Sequence, residues 1–279
     1  MVKQSVLKRV TFPVFREKIQ LIDFEGGATV TEPKLLMQTT LLAGAILLEN
    51  GAEIARVEDT MHRIATNAGY PDAQIFVLLT GITVSLPETD ASQVRAIHQR
   101  GMDLEKVDQV NTLSRQFANQ TIDLKQFAEA LVHVNQAVPT FPFSWLVIAA
   151  LVVSVTLMVA FTGHATPTDL ITCGLAGMVG FAAYYWVNRL AHIRFLSEFV
   201  GAFLIGLITL IGFYLTQNNY YPDAIIIGAV MPLVPGVAIT NAVRDTMTGN
   251  LLSGPARAIE AILSACAIGL GIALTSIFY

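Results

Sequence analysis

Charge is scarce in this chain. Of its 279 residues only 14% are Asp, Glu, Lys or Arg, against about a quarter in an ordinary soluble domain. The shortage is uneven. Of the 17 Lys and Arg, only Arg189, Arg194, Arg244 and Arg257 follow residue 140. Such a collapse marks a passage from water to lipid. A basic stripe is also missing, and a formal net charge of -4 leaves no footprint for nucleic acid. The 2 cysteines, Cys173 and Cys266, lie within apolar runs and read as small buried residues, silent about redox compartment. No phosphate loop, dinucleotide fingerprint or zinc spacing is present, so neither cofactor nor metal is expected. No apolar leader with a cleavage site follows Lys3, Lys8 and Arg9. Residues 1–32, with Gly26-Gly27, read as a loose tail or as an amphipathic segment lying on a surface.

What is there divides in two. Residues 33–140 read as a soluble α+β domain. The apolar run 35–48 is too short to cross a bilayer, which needs about twenty residues, and predicts a buried helix ended by Gly51. A second helix runs to about Ala68, with Ile54, Val57, Met61 and Ile64 on one face. Residues 75–79 and 82–86 read as strands, with a weaker third near 93–98. Two more helices follow, striped by Leu104, Val107, Val110, Leu113 and Phe117, then by Leu124, Phe127, Leu131 and Val134.

Past Pro139 and Pro142, residues 141–279 read as an α-helical membrane bundle of about five transmembrane helices, at 143–161, 170–187, 199–216, 224–243 and 255–278. Thr166-Pro167-Thr168-Asp169 is a helix start, with Thr as cap and Pro at the first position. The positive-inside rule places the soluble half, Arg189, Arg194, Arg244 and Arg257 in the cytoplasm. The links near 163–168 and 217–222, without Lys or Arg, and the C-terminus then lie outside.

Candidate chemistry clusters at two places. In the fourth span, Pro232, Pro235, Gly236, Thr240 and Asn241 put prolines, a glycine, a hydroxyl and an amide at membrane depth. Each proline frees a carbonyl one turn earlier. The freed groups either bind a solute, as transporters do at broken helices, or are satisfied by neighbouring helices. Arg244-Asp245 follows directly. Arg257 and Glu260, three apart, can pair with each other at the headgroups or form a gate. In the soluble half, Glu53, Arg56, Glu58 and Asp59 form a dense charged cluster at a helix start, with Glu53 and Arg56 spaced to pair. Solvated surface and capping compete there with a carboxylate-based hydrolase site. Ala261, Ala265, Gly269 and Ala273, and Gly174, Gly177 and Gly180, form small-residue stripes that read as packing surfaces, within the chain or against a partner.

Gly51-Ala52-Glu53, then Arg56-Val57-Glu58-Asp59-Thr60 and Arg63-Ile64-Ala65, resemble the N-terminal signature of the threonine/serine exporter family. Pro235-Gly236-Val237-Ala238-Ile239-Thr240-Asn241-Ala242-Val243-Arg244-Asp245, with Gly249 and Gly254, resembles a later signature of the same family. The resemblance covers the chain from about residue 35 onward. It implies a secondary transporter of the inner membrane, exporting threonine and serine or a dicarboxylate such as succinate. It also implies a split arrangement in which a second membrane half is a separate small subunit of about 150 residues, enough for four or five spans of about twenty each. A homo-oligomer is the other expected assembly. Under this reading Pro235, Gly236, Thr240 and Asn241 hold the solute, and Arg244, Asp245, Arg257 and Glu260 guard its cytoplasmic mouth. The competing readings are a membrane-anchored hydrolase using Glu53, Glu58 or Asp59, and a tethered sensor.

Overall fold

The computed structural model describes residues 32–98, 100–136, 141–163, 166–191, 193, 195–216 and 221–278. Residues 1–31 of the expected tail, Pro139, Arg194, and residues 164–165 and 217–220 of the two outer links lie outside them.

The first core forms around a single helix. Helix α1 (Glu32–Glu49) is apolar on every side and is buried from Leu36 to Leu48 except at Gln38. A helix with that pattern needs neighbours all round. They are α2 (Ile54–Asn67), α3 (Leu104–Ala118), α4 (Leu124–Gln136) and a sheet of β1 (Gln74–Leu78), β2 (Gly81–Leu86) and β3 (Ala91–Ala96). The sheet is an antiparallel meander, β1-β2-β3, with Phe76 opposite Thr83 and Thr83 opposite Val94. Its inner face carries Val77, Ile82, Val84 and Leu86 into the core, as the alternation along β2 requires. Phe117 of α3 stacks on Phe127 of α4 with centroids 5.3 Å apart. The α3 stripe departs from expectation at its start: Leu104 is 55% exposed, because α3 turns its first residue away from this core.

The second core joins α5 (Phe143–Thr162), α6 (Pro167–Ala191), α7 (Leu196–Leu215), α8 (Pro222–Val230), α9 (Gly236–Met247) and α10 (Ser253–Ser276). The described residues hold four helices long and apolar enough to cross a membrane, five if the bent pair α8 and α9 counts as one span. That pair bends by 62°. A short 3-10 turn, Met231–Leu233, and extended Val234 separate its halves. The break falls at Pro232 and Pro235, where the sequence places it, since neither residue can donate a backbone hydrogen bond.

Close approaches set the bundle. A Cβ on Gly180 would fall 2.4 Å from Ile205, and one on Gly201 would fall 2.9 Å from the Gly180 carbonyl. The α6 stripe therefore packs within the chain. The α10 stripe does so only at Ala261: Ala265, Gly269 and Ala273 are exposed, with nothing within 4 Å of a Cβ on Gly269. The buried line on α10 is instead Arg257, Ala261, Ser264, Ile268, Gly271 and Thr275. Cys173 is buried as expected, but Cys266 is exposed on the outward side of α10.

The helices alternate in direction. Phe143, at the start of α5, lies 4.9 Å from Tyr185 and 5.9 Å from Trp186, near the end of α6. Tyr214, near the end of α7, hydrogen-bonds the Phe278 carbonyl beyond α10 at 3.0 Å. One end of the bundle thus gathers the start of α5, the end of α6, the end of α9 and the start of α10. Arg189, Arg244 and Arg257 are all at that end, and so is the first core.

Candidate functional site

Helices α1 and α2 meet at a tight corner. Gly51, at φ 97°, takes the left-handed turn that ends α1, and the Ala52 N–H closes back on the Leu47 carbonyl at 3.0 Å. A corner this sharp turns backbone groups outward without local partners. Three of them are taken by side chains 190 to 205 residues further along. Asn241 Nδ2 donates to the Gly51 carbonyl at 2.9 Å, and Arg257 Nη2 donates to the Ala52 carbonyl at 3.3 Å. The Ile54 N–H, first of α2, donates to Asp245 Oδ1 at 3.0 Å.

Asp245 is therefore the cap of α2, with its carboxylate at the positive end of that helix's dipole. Glu53 holds the capping position in sequence but makes no cap bond. It ion-pairs with Arg244 instead. Beneath the cap, Arg257 Nε lies 3.3 Å from Asp245 Oδ2, with the two side chains 8% and 1% exposed. Neither atom has a hydrogen-bond partner among the described residues, so the contact is an ion pair by proximity only. At the rim, Arg100 pairs with Glu260 and donates Nη1 to the Leu79 carbonyl at 2.8 Å.

The membrane helices are shaped to present these groups. Asn241 and Asp245 are one turn apart on α9 and share its buried face with Ala242. Gly249, at φ 90°, ends α9 and lets the Asn250 N–H reach the Asp245 carbonyl at 2.8 Å. Gly254 brings α10 against Thr246: a Cβ there would fall 2.8 Å from the Thr246 nitrogen.

The expected ion pairs give way to longer-range ones. Glu53 pairs with Arg244, Arg257 with Asp245, and Glu260 with Arg100, because the corner brings these partners together, for Arg257 and Asp245 in a buried setting. Of the four residues expected to hold a solute, Asn241 is buried in the joint. Thr240 is exposed and donates its hydroxyl to the Gly236 and Val237 carbonyls of its own helix, at 2.7 and 3.2 Å. Pro235 caps α9, and Gly236 follows it on the exposed side of the break.

The hydrolase reading loses its geometry. Glu53 faces Arg244, Glu58 accepts from the Val77 N–H of β1 at 3.4 Å, and Asp59 pairs with Arg63 at 3.0 Å on the surface. The three carboxylates diverge and activate no common point.

Burial raises the Glu58 pKa above its ordinary 4.5; the Asp245 charge acts in the same direction, while the Val77 N–H and His62 oppose it. The folded chain thus holds this proton more tightly than the unfolded one. The resulting stabilisation is complete below pH 4.5 and fades as pH rises through the folded value. Replacing Glu58 by Gln keeps an acceptor for Val77 and removes the buried charge. We expect it to raise stability at neutral pH by about 1 kcal/mol or less and to flatten the fall above pH 4.5, as read by thermal unfolding across pH.

A cavity of about 200 Å³ opens beside the joint, between α2, α3 and α9. Glu53, Arg56, Thr60, Asn111 and Asn241 are its polar walls; Leu104, Val107 and Val237 are among its apolar ones. Exposed Leu104 is explained here, since it faces α9 and not the first core. Thr60 and Asn111 gave no signal in the sequence, because a lone hydroxyl and a lone amide on amphipathic helices look like surface. Among the described residues no cluster of His, Cys, Asp and Glu is arranged to hold a metal.

Comparison with known proteins bears on both motifs at once. Residues 38–279 match the family described as "Putative threonine/serine exporter". A Mycobacterium tuberculosis protein named "Probable threonine/serine exporter" is 21% identical over 257 residues, covering 90% of this chain and 47% of that protein. The chain thus spans about half the length of the curated relative it matches. No solved structure matches.

Proposed function

The chain belongs to the threonine/serine exporter family, and from that premise we propose that it is a subunit of a secondary transporter exporting small carboxylate-bearing metabolites, threonine and serine or a dicarboxylate such as succinate. The observation that carries this reading is the joint. The corner of the first core grips the half of a membrane crossing that lies beyond its break. A break inside a span leaves backbone groups that a solute can use, and its two halves can move separately. The grip on α9 gives the first core a lever on that movement.

In this reading the solute passes close to Pro235, Gly236, Thr240 and Asn241. Arg244, Asp245, Arg257 and Glu260 form the hinge at the mouth. The arginines gathered at the end bearing the first core support a cytoplasmic head and an outward C-terminus in the inner membrane. A second, small membrane subunit of about 150 residues, or four to five spans, would supply what the longer relative carries in one chain. The exposed side of α10, with Ala265 and Gly269, suits such a neighbour.

The test is efflux from vesicles preloaded with labelled threonine, serine or succinate, with this chain present alone and with its small partner. Efflux of one solute above protein-free vesicles is expected; none for any solute in either arrangement ends the proposal. Asn241→Leu removes the bond to Gly51 and leaves that carbonyl unpaired, and is expected to slow efflux about tenfold, the equivalent of about 1.4 kcal/mol. Flux equal to the parent at equal expression would take Asn241 out of the mechanism.

A further inference from the structure

The cavity beside the joint carries opposite charges with unequal partners. Glu53 is engaged by Arg244. Arg56 forms no ion pair among the described residues. It occupies the third position of α2, where the helix dipole disfavours a cation. Beside it the N–H groups of Ala55 and Arg56 are the next donors of that helix without a partner among the described residues, since Asp245 serves only the first. Thr60, one turn further in, is 8% exposed, lines the cavity and makes no hydrogen bond among the described residues. A guanidinium without an ion pair among the described residues, a helix N-terminus beside it and a buried hydroxyl without a partner there are together a site made for an anion.

The carboxylate of Glu53 on the same cavity narrows the choice. A dicarboxylate would set its second charge against Glu53. A free amino acid would offer that residue an ammonium. At about 200 Å³ the space is far above the roughly 10–15 Å³ that a single water needs on this measure, and so admits a small amino acid. Asn111 and Thr60 can bond a side-chain hydroxyl, while Val107 and Leu104 can cover a methyl.

We propose that this cavity binds a free hydroxylated α-amino acid as its zwitterion, with the carboxylate on Arg56 and the N-terminus of α2 and the ammonium on Glu53. The inference rests on the exporter reading for the class of solute and deepens it by choosing the amino acid over the dicarboxylate. It also supplies a link to the joint: the bound ammonium competes with Arg244 for Glu53, so an occupied cavity loosens one of the contacts that hold α9.

The test is calorimetric titration of the full chain in lipid nanodiscs with L-threonine, L-serine, threoninamide, N-acetylthreonine and succinate. Threonine and serine are expected to bind. The amide, the acetyl derivative and succinate should each be at least about tenfold weaker. Arg56→Gln should weaken threonine by about tenfold or more, and Thr60→Val by several-fold, with circular dichroism matching the parent. Threoninamide or succinate binding as tightly as threonine overturns the proposal with no mutation needed. Unchanged affinity in folded Arg56→Gln, or no threonine binding at all, overturns it too. Efflux run in parallel separates the two readings: flux without zwitterion-selective binding sinks this site alone, and zwitterion-selective binding without flux sinks the exporter reading alone.

Discussion

Asp245→Ala is expected to lower the stability of the purified chain by roughly 3–5 kcal/mol, the range for removing one partner of a buried ion pair. Two losses combine. Arg257, 8% exposed at its side chain, loses its nearest counter-charge and keeps only the weaker field of Glu260 and Glu53, which Arg100 opposes. The first N–H of α2, bonded at 3.0 Å in the parent, loses its acceptor, and loss of a cap alone costs about 1 kcal/mol. Asp245→Asn keeps an acceptor and removes only the charge, so it should fall between parent and Ala. The double variant Asp245→Ala with Arg257→Ala should lose less than the sum of the single losses, because no lone charge then stays buried. Thermal and denaturant unfolding in detergent give these values. Limited proteolysis should also find the α1–α2 corner newly open to cleavage in Asp245→Ala. Strict additivity in the double variant would mean that the pair, despite its 3.3 Å separation, is not coupled.

Gly254→Val should be nearly as damaging, for a steric reason. A Cβ at this position falls 2.2 Å from the Thr246 hydroxyl oxygen, 2.8 Å from its nitrogen and 3.0 Å from its Cα. A side chain could swing aside, but backbone cannot do so without moving α9. Helix α10 must withdraw instead, and Arg257, one turn along, withdraws with it from Asp245. Overpacking of this kind costs about 1–3 kcal/mol and here disturbs the buried pair as well. Under the exporter reading proposed above, efflux should fall together with the unfolding temperature. Gly269→Ala is the matching control, since nothing lies within 4 Å of its Cβ. In the isolated chain it should be neutral or stabilising by up to about 1 kcal/mol. Equal losses at the two positions would mean that any added side chain on α10, and not the α9 contact, governs Gly254.

The parts of the fold that rest on local pattern were readable in the sequence. The alternation in Ile82-Thr83-Val84-Ser85-Leu86 gives β2, the short apolar run gives the wrapped helix α1, and Pro232 with Pro235 gives the break. The candidate site was readable only as two separate halves. What joins them is backbone: the Gly51 and Ala52 carbonyls and the Ile54 N–H have no side-chain signature. Spacing suggested Arg257 with Glu260 and Glu53 with Arg56, since residues three apart share a helix face. Tertiary partners displaced those pairs because the corner offers other counter-charges, a buried Asp245 for Arg257 and an exposed Arg244 for Glu53. Arg100 sits in an unremarkable loop, and nothing in its neighbourhood marks it as the partner of a carboxylate 160 residues away.

The borrowed cap on α2 also bears on how the protein is made. Synthesis runs from the N-terminus, and early segments ordinarily begin to fold as they leave the ribosome. Here the acceptor for Ile54 lies 191 residues downstream. The nascent head therefore waits with one helix unfinished until α9 has been translated and has docked on the corner. A product that stalls or threads wrongly keeps an open, charged corner on show.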